Sequence, residues 1–86
     1  MKRIDAKTLG LSARDRVEQI ASNHLALVVD RKSRIIMADG RRILEKVDKI
    51  RKHGSDAKIS LKTNAPVCSK TRAFLHENDI RIDSID

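Results

Sequence analysis

Few groups in this 86-residue chain can do chemistry. Cys68 is the single cysteine, and it falls at the start of a helical pattern, where the macrodipole and Lys70 lower a thiol pKa. That placement fits a reactive or regulatory thiol. The alternative is a small hydrophobe on the apolar side formed by Val67, Thr71, Phe74 and Leu75. His24, His53 and His76 lie on different elements without His-x-x-x-His or Cys-x-x-Cys spacing, so no zinc site is anchored. They read as surface or cap histidines. No Gly-x-Ser-x-Gly, Walker or Gly-x-Gly-x-x-Gly motif is present. Asp30 and Asp39 suit a turn and a helix cap better than catalytic acids. These residues point to a non-enzymatic protein with no metal and no cofactor.

Charge is the stronger signal. Lys plus Arg number 19 against 12 Asp plus Glu, a net of +7. Residues 31–62 carry that whole excess, while residues 1–30 net +1 and residues 63–86 net −1. Arg31, Lys32 and Arg34 form one cluster, and Lys58 and Lys62 share one side of a strand pattern. Arg42, Lys46, Lys49 and His53 fall on a helical arc opposite Ile43, Val47 and Ile50, which turns them to solvent. Arg31, Lys32, Arg34, Arg42, Lys46, Lys49 and Lys52 are the expected phosphate contacts, with salt-dependent and largely sequence-independent affinity. The alternative is a helix face charged for solubility. Phe74 is the sole aromatic residue, which argues against base stacking.

Several elements must position these groups. Ser12 and Asp15 resemble a capping box ahead of Ala13, Val17, Ile20 and Ala21 at helical spacing, which predicts a helix over 13–23. The apolar run 25–29 and the segment 34–37 predict a hairpin with the polar tip 30–33. Asp39 is the expected N-cap of a helix over 40–53, and Gly54 its left-handed stop. Residues 57–62 alternate as a strand, with Ala57, Ile59 and Leu61 on one side. Pro66 suits the first turn of a helix over 66–78 with Asn78 as terminator, and residues 80–83 form a last strand. Strand, crossover helix and strand within about 27 residues imply a parallel, right-handed β-α-β unit.

Lys58 to Leu75, with Ala65-Pro66-Val67-Cys68 at its centre, resembles the first strand and first helix of glutaredoxins. There the strand runs into Cys-Pro-x-Cys and a helix ending in an aromatic-Leu pair, here Phe74-Leu75. Glu77-Asn78-Asp79-Ile80 matches the family's exit into its second strand. The resemblance covers residues 58–83. It implies a circularly permuted thioredoxin-like fold and a redox role for Cys68. Ala65 stands where the family has its nucleophilic cysteine, and Pro66 is the only proline.

The expected molecule is one α/β domain (or a two-layer α+β variant) over 1–86, frayed at residues 1–9. Its order is α-β-β-α-β-α-β around a four-stranded mixed sheet. The chain has no run of about 18 apolar residues and no apolar leader, and one cysteine suits a reducing compartment, so a cytoplasmic protein without a membrane partner is expected. The first expectation for function is a small basic module binding nucleic acid or another polyanion. The others are a thiol-based redox protein and a protein–protein adaptor, including a homodimer through an edge strand.

Overall fold

The computed structural model describes residues 2–4, 6–11, 15–53 and 57–85. Among them, β1 (Lys2–Ile4), β2 (Arg16–Ala21), β3 (His24–Val29), β4 (Lys58–Thr63) and β5 (Arg81–Ser84) form one sheet in the order 1-2-3-4-5. The first three strands are an antiparallel meander, and β3, β4 and β5 run parallel. Helix α1 (Met37–Lys52) crosses from β3 to β4, and α2 (Ser69–Glu77) from β4 to β5. The α/β class, the mixed sheet, its two helices and the parallel β-α-β unit accord with the sequence.

The first half differs. The helix expected over 13–23 is the strand β2, joined to β3 by a turn at Ser22 and Asn23. Of its expected capping pair, Ser12 lies outside the described residues, and Asp15 stands just ahead of β2 with its carboxylate on Lys46. Val17 is wholly buried against the core while Glu18 turns to the other face, the period of a strand. A bulge between Gln19 and Ala21 breaks that period and lets Ile20 mimic helical spacing. The hairpin expected from 25–29 and 34–37 is absent, because β2 and β4 occupy both edges of β3. Ile35 makes only an isolated bridge to Val67, and Met37 already opens α1. The order is therefore β-β-β-α-β-α-β, with five strands instead of four. Residues 2–4, within the stretch expected to fray, pair with β2 in the register Lys2↔Gln19 to Ile4↔Val17.

Leu25, Leu27, Ile59 and Leu61 point from one sheet face into a core completed by Ile43, Val47, Ile50 and Leu75 of the two helices. Consecutive strands are neighbours throughout, so both crossovers cover that same face. The helices approach closely because Gly40, in the first turns of α1, has no side chain. A Cβ there would lie 2.8 Å from Thr71 Cγ2 of α2.

On the opposite face, side chains of β2, β4 and β5 form an alternating row of charges. Arg16 Nη2 lies 3.0 Å from Glu18 Oε2, Lys62 Nζ lies 3.5 Å from Glu18 Oε1, and Arg81 Nε lies 3.0 Å from Asp83 Oδ1. Asp83 stands in register beside Lys62. This row shields Ala26 and Ser60 completely, although no element of the described residues covers that face. Lys62 is 8% exposed, and Glu18 compensates its charge.

Helix α2 starts later than expected, at Ser69, with Cys68 as its N-cap and Pro66 in the preceding loop. It ends in a Schellman arrangement: Ile80 N–H donates to Leu75 O, and Asp79 N–H donates to His76 O. The left-handed residue is Asp79, at φ 60, with Asn78 the C-cap before it. Helix α1 is capped by His53, whose N–H donates to Lys49 O and Ile50 O. Gly54, its expected stop, lies outside the described residues.

Candidate functional site

In parallel β-α-β units the helices begin where the strands end, so the N-termini of α1 and α2 share one edge of the sheet with the 30–36 and 64–68 loops. Arg31 organises this edge. Its Nη2 donates to Asp39 Oδ2 at 2.6 Å and to Arg34 O at 3.1 Å, and its Nε donates to Ser33 O at 3.3 Å. The Arg31 backbone N–H donates to Asn64 Oδ1 at 3.0 Å, while Asn64 Nδ2 donates to Asp30 Oδ1 at 2.7 Å. Ile35 N–H donates to Pro66 O, and Cys68 N–H donates to Ile35 O. The two loops are thus stitched into one platform.

Asp39 is not the N-cap the sequence suggested. The N-cap is Ile36, and Asp39 sits three residues inside, where its carboxylate reaches back to accept the Ile36 N–H at 3.0 Å. This is the returning half of a capping box, since isoleucine has no polar group to supply the other half. The Arg31 guanidinium, followed by the Ile36 N–H, holds the Asp39 carboxyl below the ordinary carboxylate range, against the opposing effect of burial.

The seven expected phosphate contacts divide between two roles. Arg31 is half-buried and spent on Asp39 and on loop carbonyls. Lys46 Nζ lies 2.6 Å from Asp15 Oδ1. Lys32, Arg34, Arg42, Lys49 and Lys52 are exposed and have no carboxylate partner among the described residues. Lys32 and Arg34 stand on the platform, Arg42 early in α1, and Lys49 and Lys52 in its last turns. Arg41 and Lys70, which sequence reasoning left out of the set, are also exposed near the helix starts. The signal that could have found them is the same one: unpaired cations in a first helical turn, where the dipole disfavours them.

No family model, curated protein or solved structure matches this chain.

Cys68 is partly buried on the same platform. The backbone N–H groups of Lys70 and then Thr71 face its sulfur, and with the Thr71 hydroxyl and the charge of Arg34 they lower the thiol pKa against the effect of burial. Thr71 Oγ1 is fully buried and makes no hydrogen bond of ordinary geometry. Of the histidines, His24 Nε2 lies 3.0 Å from Ser60 Oγ on the open face, His53 caps α1 beside Gly10, and His76 lies in the last turn of α2. No group of three His, Cys, Asp or Glu residues able to hold a metal ion occurs among the described residues. No helix there is long and apolar enough to cross a membrane.

Proposed function

We propose that this protein is a small non-enzymatic module that binds a polyanion, nucleic acid first, through phosphate contacts. One observation carries the reading: five of the seven expected cations are exposed and form no ion pair among the described residues, three of them at the edge where both helices present their positive ends. Exposed Lys and Arg beside two helix starts supply the charge that phosphate recognition needs, and the helix dipoles add to it. Arg31 positions the platform, and Lys32, Arg34, Arg42, Lys49 and Lys52 make the contacts.

The test is a titration of labelled single-stranded and duplex DNA and RNA at two salt concentrations. Five phosphate contacts give a slope of about −4.5 in log affinity against log salt on duplex DNA, so raising salt about fourfold weakens binding about 500-fold. Reversing Lys32, Arg34 and Arg42 together lowers the slope by about three. Absence of binding at low salt, or affinity indifferent to salt, refutes the reading.

A second reading rests on Cys68, whose surroundings lower its pKa. A thiol-regulated protein of the kind suggested by the glutaredoxin-like segment requires a thiolate at neutral pH. The rate of alkylation against pH then has its midpoint below the free-cysteine value of about 8.5, and Thr71→Val moves it upward. A midpoint at or above the free value removes this reading.

A further inference from the structure

Strand β5 lies at one end of the sheet. A groove of about 930 Å³ lies between α2 and the starts of β3, β4 and β5, lined among others by His24, Lys58, Ile59, Arg72, His76 and Ile82. No strand lies on the outer side of β5 among the described residues. Such an edge is a template for another strand.

We propose that the occupant is β5 of a second copy of this chain, paired antiparallel about a two-fold axis at Ile82. The argument is charge complementarity. In that register Ile82 lies opposite its own copy, and Arg81 of each chain lies opposite Asp83 of the other, giving two opposite-charge cross-strand pairs from one three-residue sequence. Arg81 is available for it, its side chain 78% exposed and held only by Asp83 of its own strand. The pairing also extends the alternating charges of the open face, Arg16, Glu18, Lys62, Asp83 and Arg81, without interruption into the partner.

Light scattering after size-exclusion chromatography, over concentrations up to millimolar, tests this. The wild-type chain is expected to be a dimer that dissociates on dilution. Arg81→Asp places acids opposite acids at both symmetric positions and weakens the dimer by about tenfold or more. The swap Arg81→Asp with Asp83→Arg restores opposite charges and restores the dimer. Circular-dichroism melts check that the variants remain folded, above all the swapped chain, whose Arg at position 83 stands beside Lys62. A wild-type chain that stays monomeric at millimolar concentration overturns the proposal. So does a dimer insensitive to Arg81→Asp, or a swapped chain that stays monomeric while folded. Because β5 lies apart from Lys32, Arg34 and Arg42, these variants leave the salt-dependent binding of nucleic acid unchanged in slope per chain.

Discussion

Replacing Asp39 by Ala tests the joint on which the platform depends. The carboxylate makes two interactions there, a back-bond to the Ile36 N–H at 3.0 Å and an ion pair with Arg31 at 2.6 Å. A cap bond of this kind contributes about 1 kcal/mol. The pair is partly solvated, with side-chain exposures of 32% and 20%, so screening limits it to about 0.5–1 kcal/mol. The expected loss at neutral pH is about 1.5–2 kcal/mol, or about 6–15 °C in Tm for a domain of this size. The pH dependence gives the sharper check. The folded-state pKa of Asp39 lies below its unfolded value of 3.8, so its charge-dependent stabilisation is fully present above that value. It is lost as pH falls through the folded pKa. Urea unfolding of wild type and Asp39→Ala at about pH 7, 5 and 2.5 should show a gap that is constant between the first two and narrower at the third. Asp39→Asn, which can still accept the Ile36 N–H, should lie between them at neutral pH. A gap that stays constant down to the lowest pH, or no gap at neutral pH, refutes the reasoning.

Two further substitutions probe the scaffold. Gly40→Val forces a side chain onto Thr71 and should destabilise the domain by about 1–3 kcal/mol in urea unfolding, despite the gain in helix propensity. A more stable variant would show that the helices do not need this close approach. Asp79→Gly relieves a left-handed residue at φ 60 in the Schellman turn and should raise stability by about 1 kcal/mol. A lower Tm would mean that the aspartate makes a contact worth more than its strain.

Much of the second half of the fold was legible. Ile43, Val47 and Ile50 form a clean helical stripe, and Ile59 and Leu61 alternate with Ser60 and Lys62, so periodicity identified α1 and β4. The first half was not, for physical reasons visible in particular residues. Val17, Ile20 and Ala21 match helical spacing only because a bulge interrupts the strand, whereas Ser22-Asn23 before the apolar run of β3 was the turn signal that counted. Ile35, Ile36 and Met37 looked like a strand, but their backbone feeds a helix whose cap acts from three residues inside. At the site, charge segregation marks residues 31–62 as the cationic stretch of the chain. It could not separate Arg31 and Lys46, which form ion pairs with Asp39 and Asp15, from Lys32, Arg34 and Arg42, which form none among the described residues. That distinction depends on tertiary pairing.

The contact of Gly40 with Thr71 joins the first turns of both helices. Parallel helices repel through their aligned dipoles, and this joint presses together the two ends that carry the same partial charge. With glycine at the crossing, the axes can approach to about 8 Å. Position 40 therefore works as a caliper: it sets the span between two positive ends. A side chain added there would widen the caliper as well as strain the core. If the proposed polyanion binding holds, its effect should also be read in which polyanion is preferred, and not only in how firmly the chain folds.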